Sequence, residues 1–176
     1  RTKDGEILVH HDASALRMAG VDRLVRECSY AETQEWDVGA RFRFGQLERS
    51  YSAPLFRHVL ERFPNTTINV DIKQHEAEVV DAVLEVIHSS GAGRRVVINS
   101  FAAEVTARVR ASGYPGETGV SVRDLLRLRF WPAWLWKLLS GLEAIDGDAL
   151  QLPVHGEGGK GLRRWIGLRI RFDGMA

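Results

Sequence analysis

The chain has 176 residues, of which 44% are hydrophobic and 27% are charged, and its formal net charge is +1. This length is enough for one domain with a substantial core, and the small net charge gives no overall field that would favour nucleic acid or an acidic partner. The single cysteine, Cys28, rules out an internal disulfide framework, and no apolar run reaches the roughly 18 residues of a membrane span.

The first predicted elements are a turn, a short strand and a polar corner. The Asp4–Gly5 pair favours a tight turn, and the apolar residues after it favour an extended chain over Ile7–Val9. The strand ends in His10, His11 and Asp12, and its period of two puts His11 on one face and the other two on the opposite face. A histidine at the carboxyl end of a buried strand is where α/β enzymes place acid–base groups. The competing interpretation is a turn followed by surface histidines, with Asp12 either orienting an imidazole or simply ending the strand.

Between residues 13 and 113 the chain alternates between helical and extended patterns. Gly91 and Gly113 stand where two of the predicted helices should end. The predicted elements are short helices at 13–18 and 31–36, a helix at 55–63, a strand at 67–72, a helix at 76–89, a strand at 95–99 and a helix at 102–112. This order predicts βαβ units with parallel strands, and no linker divides the chain.

The segment from Asp124 to Leu142 combines three tryptophans with many leucines around Pro132. One interpretation is a proline-interrupted pair of helices that bury aromatic side chains against their neighbours. The other is an interfacial segment that dips into lipid, since Trp, Leu and Arg together suit a membrane surface. The tryptophans concerned are Trp131, Trp134 and Trp136.

Four blocks resemble, in order, motifs of the glycerophosphodiester phosphodiesterase family. TKDGEILVHHD at residues 2–12 is similar to the family's second-strand signature, and FPNTTINVDIK at 63–73 is similar to its "fP…iniEiK" strand. VVINSF at 96–101 and DALQLP at 148–153 resemble two later strand blocks. The resemblance implies an α/β fold, namely an incomplete (β/α)8 TIM-type barrel in which parallel strands alternate with helices.

The resemblance also implies site residues. His11 matches the family's second catalytic histidine, Asp71 matches its third metal-binding carboxylate, which is usually Glu, and Lys73 matches a lysine that contacts phosphate. Ser100 and Gln151 are assigned to substrate binding, although Ser100 suits the start of a helix equally well. The implied cofactor is a divalent cation, Ca²⁺ or Mg²⁺, held by oxygen ligands. We expect His11 and Asp71 to converge on one cavity mouth.

Alternation within the strand at 67–72 separates its apolar residues from Asn69, Asp71 and the following Lys73. A barrel strand turns its outer face to apolar helices, so this polar set is predicted to point into the barrel. A buried carboxylate and a buried ammonium need partners, and a cation and a substrate phosphate would supply them. The alternative is an Asp71–Lys73 ion pair or a solvated edge strand.

Some family segments have no counterpart among these 176 residues. They are an upstream His-Arg-Gly strand that carries the first catalytic histidine, an upstream Glu-x-Asp metal-binding pair, and the last strands downstream of Pro153. The chain is therefore expected to be a fragment. Residues 1–153 are predicted to form a partial glycerophosphodiester phosphodiesterase-like barrel, and residues 154–176 a divergent basic tail rich in glycine and arginine.

The leading functional hypothesis is a phosphoric diester hydrolase of lipid metabolism. It would cleave glycerophosphodiesters or lysophospholipids to an alcohol and a glycerol phosphate or related phosphomonoester, with metal assistance and histidine acid–base catalysis, and with impaired activity in this fragment. The alternative is a catalytically inactive barrel fragment that binds phospho-ligands or a membrane surface. No nucleic-acid partner is expected, and the expected location is cytoplasmic or, through the three tryptophans, peripheral to a membrane.

Overall fold

The computed structural model describes residues 1–41 and 49–119 in full, and the backbone alone of residues 150–154 and 164–168. The chain divides into two compact units. The first comprises Arg1–Thr66 and Glu76–Ala92, and the second comprises Thr67–His75 and Gly93–Ala176.

The first unit is helical in its described part. Its helices are α1 (Leu16–Ala19), α2 (Tyr30–Thr33), α3 (Phe56–Arg62) and α4 (Ala77–Ser89), with a 3₁₀ turn at Val25–Glu27. The two longer helices, α3 and α4, agree with the predicted ranges to within one residue at each end. The two short ones cover less than was predicted.

Local signals explain where α1, α2 and α4 begin or end. The first helix ends at Gly20, whose φ of 77° suits glycine. The second begins with a capping box, in which the Ser29 hydroxyl accepts from the Glu32 backbone N–H and the Glu32 carboxylate accepts from the Ser29 N–H. After α4, Gly91 adopts a φ of 61°, so the prediction that it ends this helix is confirmed.

The core of the first unit contains residues from its helices and from its loops. The two long helices pack against each other, and α4 buries one apolar face made by Val79, Val80, Val83 and Ile87. A second buried cluster consists of Leu8, Ala15, Val25, Cys28, Trp36, Ala53 and Leu55. The only cysteine of the chain is therefore a buried free thiol.

The second unit contains a parallel pair of strands. They are β1 (Ile68–Asp71) and β2 (Val96–Asn99), which run in register from Ile68 opposite Val96 to Asp71 opposite Asn99. A helix, α5 (Ala103–Ala111), follows β2 and packs against it. Parallel neighbours need long crossover connections, and the sequence between β1 and β2 contains α4. The predicted strand–helix–strand–helix order is confirmed.

A third extended segment continues this arrangement beyond α5. Thr118 pairs with Ile98 in the parallel sense, since the Ile98 N–H donates to the Glu117 carbonyl at 3.0 Å and the Gly119 N–H donates to the Ile98 carbonyl at 2.8 Å. The sequence analysis did not predict this pairing. It places β2 between two parallel neighbours.

The last described strands form an antiparallel pair, β3 (Leu150–Val154) and β4 (Arg164–Leu168). The first of them falls on the block predicted to be a barrel strand, but its pairing is antiparallel, whereas parallel strands were expected. Its partner lies in the predicted tail, where Trp165 and Ile166 favour extended structure. The proposed domain boundary at residue 153 stays a prediction.

Within the described part of the chain, no helix has both the length and the apolar character needed to cross a membrane. The three tryptophans assigned to lipid contact, Trp131, Trp134 and Trp136, lie outside the described residues.

Candidate functional site

The turn at the start of the first unit is fixed by its own side chains. The Thr2 hydroxyl donates to Asp4 Oδ1 at 2.6 Å and accepts from the Glu6 N–H at 2.9 Å. The Asp4 carboxylate also accepts from the backbone N–H of Tyr30, and these hydrogen bonds lower the pKa of Asp4. Gly5 adopts a φ of 95°, so the predicted Asp-Gly turn is confirmed.

The prediction of a short strand after this turn is wrong, because the structure has only an isolated bridge there. Leu8 forms an isolated antiparallel bridge with Leu55, supported by hydrogen bonds from the Val9 N–H to the Pro54 carbonyl and from the Phe56 N–H to the Ile7 carbonyl. The partner segment enters α3 immediately afterwards, so the pairing stops after one bridge. The segment is nevertheless extended enough for Leu8 to be buried while Val9 is exposed.

The two histidines at the corner have different partners. His10 Nε2 lies 3.1 Å from the Ser14 carbonyl oxygen, whereas His11 Nδ1 lies 2.7 Å from Asp12 Oδ1. The His11 side chain is 69% exposed, and that of Asp12 is 25% exposed. His11 therefore presents its ring to solvent while one ring nitrogen is held by a carboxylate.

A salt bridge fixes the other side of that carboxylate. Arg17 Nε, on α1, lies 2.5 Å from Asp12 Oδ2. The Arg17 hydrogen bond and then the His11 hydrogen bond lower the pKa of Asp12 to about 2. Asp12 thus remains anionic throughout the range in which a histidine titrates. Sequence reasoning gave Asp12 an orienting role as one of two options, but it gave Arg17 none.

In the second unit, Asp71 and Lys73 contact each other. Lys73 Nζ lies 2.5 Å from Asp71 Oδ2, and the two side chains are 32% and 36% exposed, respectively. Lys73 Nζ also lies 5.3 Å from the centre of the Phe101 ring, a cation–π distance. The two groups are therefore partly exposed rather than buried, and the ion pair left open as an alternative in the sequence analysis is present.

An asparagine on the neighbouring strand, Asn99, lies on the same side as the predicted polar set of Asn69, Asp71 and Lys73, and it was not predicted from the sequence. Asn99 is in register with Asp71, and its Nδ2 donates to Asn69 Oδ1. A Cβ added at Gly119 would lie 1.8 Å from Asn99 Oδ1, so only glycine leaves room for this amide. The available signal was one polar residue ending the otherwise apolar stretch Val96–Asn99. Asn69, Asp71, Lys73, Asn99 and Phe101 form what we call the polar strand face.

Of the two remaining predicted substrate-binding residues, Ser100 and Gln151, the structure describes the side chain of Ser100 alone. Ser100 is buried, and its hydroxyl donates to the Ile72 carbonyl at 3.0 Å and accepts from the Ala102 N–H at 3.2 Å. The N-cap of α5 is Ala102 and no side chain caps this helix, so Ser100 does not start it directly, and its role toward substrate stays a prediction. The side chain of Gln151 lies outside the described residues.

The described side chains do not by themselves make up a divalent-cation site. Among residues 1–41 and 49–119, no group of three or more His, Cys, Asp or Glu side chains is close enough to hold a metal ion. Asp71 would supply one carboxylate, and its Oδ2 is engaged by the Lys73 ammonium. The convergence of His11 and Asp71 on one cavity mouth stays a prediction, because the two residues belong to different units.

Comparison with known proteins identifies relatives of this chain. Residues 1–115 match the glycerophosphoryl diester phosphodiesterase family. Over 91 residues the chain is 34% identical to human lysophospholipase D GDPD1, an alignment that covers 49% of this chain and 29% of that protein. The chain therefore spans less than a third of the length of this curated relative.

Solved structures show the same fold. The glycerophosphoryl diester phosphodiesterase domain of a Mycobacterium tuberculosis protein gives a TM-score of 0.60 at 18% identity, over 96% of this chain and 65% of that one. A phosphodiesterase from Oleispira antarctica, solved in complex with the product sn-glycerol-3-phosphate, gives a TM-score of 0.56 at 17% identity, over 85% of this chain and 58% of that one. The predicted fold class, an incomplete (β/α)8 barrel, is confirmed.

Proposed function

Because the chain belongs to the glycerophosphoryl diester phosphodiesterase family, we propose that it is a phosphoric diester hydrolase acting on glycerophosphodiesters or lysophospholipids. The observation that carries the proposal is the family match, which spans the His11 corner and the polar strand face in one alignment of residues 1–115. The relative named lysophospholipase D and the structure with bound sn-glycerol-3-phosphate support this substrate class. The products would be an alcohol and a glycerol phosphate or related phosphomonoester.

In this proposal His11 transfers protons. Hydrolysis requires that a proton be taken from the oxygen that attacks phosphorus and that a proton be given to the leaving alcohol oxygen as the P–O bond breaks. An imidazole with a near-neutral pKa can carry out either transfer. The exposed ring of His11, held through Nδ1, is suited to act through Nε2. Lys73 would contact a phosphate oxygen by charge.

A divalent cation would be held in part by the carboxylate of Asp71. The family is in general dependent on a divalent cation, and Ca²⁺ or Mg²⁺ prefers the carboxylate oxygens that Asp71 offers. The described side chains supply this carboxylate already paired with Lys73, so we assign no catalytic step to a metal ion in this chain. Together with the lack of a His-Arg-Gly motif among the 176 residues, this leads us to propose that turnover by the chain is impaired.

The experiment measures choline and sn-glycerol-3-phosphate released from glycerophosphocholine, and choline and lysophosphatidic acid released from lysophosphatidylcholine, with Ca²⁺, with Mg²⁺ and with chelator. We expect slow release by the unmodified chain and at least tenfold less by His11→Ala, since a positioned acid–base group contributes about 10²–10⁴-fold. His58→Ala, which replaces an exposed histidine on α3, is the matched control and should retain activity. Equal release by the unmodified chain and His11→Ala would refute the proposal.

A second candidate is a catalytically inactive protein that binds phospho-ligands. The observation that favours it is the Asp71–Lys73 ion pair, which leaves Asp71 partnered without a cation. In the same samples, glycerophosphocholine that shifts the NMR signals of the polar strand face but yields no product would support this candidate.

We also propose a cytoplasmic or peripheral-membrane location. The peripheral location would involve Trp131, Trp134 and Trp136, and faster turnover of vesicle-bound than of soluble substrate would favour it.

A further inference from the structure

At the corner of the first unit, the Asp12 carboxylate links the side chains of His11 and Arg17. Asp12 lies in the middle, with Oδ1 at 2.7 Å from His11 Nδ1 and Oδ2 at 2.5 Å from Arg17 Nε. The outer two side chains are 69% and 61% exposed, whereas Asp12 is 25% exposed. The carboxylate is thus the most buried of the three side chains, and it contacts both of the others.

This geometry determines which nitrogen of His11 carries the proton. An ionised carboxylate only accepts hydrogen bonds, so the contact with Asp12 requires a proton on Nδ1. In the neutral imidazole, Nε2 then carries the lone pair, because one ring nitrogen is a donor and the other an acceptor. The ring is therefore oriented with its basic nitrogen away from Asp12.

Resting on the function proposed above, we propose that Asp12 and Arg17 are positioning residues for His11. Asp12 selects the Nδ1–H tautomer so that Nε2 is ready to take a proton, and Arg17 holds the Asp12 carboxylate in the orientation that does so. Arg17 is placed for this because α1 begins at Leu16, which brings the next side chain back toward the corner. Neither residue touches the substrate in this proposal.

The neighbouring His10 provides an internal contrast. Its Nε2 lies 3.1 Å from the Ser14 carbonyl, and a carbonyl oxygen only accepts. His10 should therefore carry its proton on Nε2, the opposite tautomer from His11. The two adjacent imidazoles are thus expected to differ in tautomer for reasons that are visible in their partners.

The test is two-bond ¹H–¹⁵N NMR of the full chain, ¹⁵N-labelled at histidine, at a pH above the imidazole titration. We expect an Nδ1–H pattern for His11 and an Nε2–H pattern for His10 in the unmodified chain. In Asp12→Ala, His11 should change to the Nε2–H pattern while His10 is unaffected. If His11 keeps the Nδ1–H pattern in Asp12→Ala, or shows Nε2–H in the unmodified chain, the inference is overturned.

Kinetics separate this inference from the proposed function. Asp12→Asn and Arg17→Met should lower kcat by about 10- to 100-fold, the cost that is typical of losing a partner that orients a metal-binding histidine, with little change in KM. Arg17→Lys should restore part of kcat. If the unmodified chain is active and kcat is unchanged in both variants, the inference is overturned and the proposed function stands. If the unmodified chain is inactive but shows the expected tautomers, the positioning roles stand and the proposed function is refuted.

Discussion

The Ser100 hydroxyl connects two elements of the second unit. It donates to the carbonyl of Ile72, just after β1, and accepts from the N–H of Ala102, which caps α5. Its single proton is already directed to Ile72, so toward a substrate this hydroxyl could only accept a hydrogen bond. We therefore expect Ser100 to matter for stability whether or not it contacts substrate.

Ser100→Ala should lower the free energy of unfolding by about 1–3 kcal/mol, because the buried Ile72 carbonyl and the partly buried Ala102 N–H each lose a partner. The measurement is urea denaturation followed by circular dichroism. Ser89→Ala is the matched control, since its hydroxyl donates to the Val86 carbonyl at an exposed helix end. That control should stay within about 0.5 kcal/mol of the unmodified chain, and equal losses in both variants would contradict the argument.

The end of α4 depends on one backbone conformation. The Ala92 N–H donates to the Ile87 carbonyl and the Gly91 N–H to the His88 carbonyl, both at 3.0 Å, which is the Schellman arrangement. This arrangement needs the positive φ of Gly91, which is 61°. A Cβ added there would meet no atom within 4 Å, so substitution changes backbone energy without a clash.

Gly91→Ala should destabilise the chain by about 1–2 kcal/mol, the approximate cost of placing a residue with a Cβ in the left-handed region. Gly91→Asn should cost less, because a short polar side chain can hydrogen-bond locally in this conformation. Thermal unfolding of both variants checks the order. If Asn is as destabilising as Ala, the cause is not the left-handed conformation.

The elements that could be predicted from sequence are those whose signals are local. The α4 helix has a continuous apolar face and a glycine stop, and β2 is a short apolar run rich in β-branched residues, so each pattern favours one type of element. The bridge between Leu8 and Leu55 could not be predicted in this way. Leu55, which lies 47 residues after Leu8, is the N-cap of α3, so the start of that helix limits the pairing to one bridge. The pairing of β3 with β4 was not predicted, because β4 lies in the segment that was interpreted as a divergent tail.

The candidate site shows the same division. His11 and Asp71 could be selected as candidates because their motifs are contiguous in sequence, and in the structure each contacts a residue close to it in the chain. Asn99 was missed because its importance comes from its register opposite Asp71 on another strand. Arg17 was missed because only the turn into α1 brings it to Asp12.

Among the described residues, the carboxyl groups with a lowered pKa lie in the first unit and a phenol with a raised pKa lies in the second. In the first, hydrogen bonds and ion pairs lower the pKa of four carboxyl groups; they belong to Asp4, Asp12, Glu32 and Asp37. In the second, burial raises the pKa of Tyr114 to about 12, and its hydroxyl donates to the Val96 carbonyl at 2.7 Å. Of these five groups, the carboxyls should respond to acid and the phenol to alkali.

The sign of each effect follows from which state binds more protons. Below about pH 4 the unfolded chain takes up protons that the folded carboxylates resist, so the free energy of unfolding should fall as the pH drops from about 4 to 2. Between about pH 10 and 12 the folded chain keeps the Tyr114 proton that the unfolded chain loses, so the free energy of unfolding should fall as the pH rises.

Urea denaturation of the chain and two variants across both ranges tests this division. Asp12→Asn should flatten the acid branch only, by less than about 1 kcal/mol because its partners are exposed. Tyr114→Phe should flatten the alkaline branch only, because it removes the phenol whose burial raises the pKa. A variant that changes the opposite branch, or both branches equally, would show that the two units do not respond to pH through these groups.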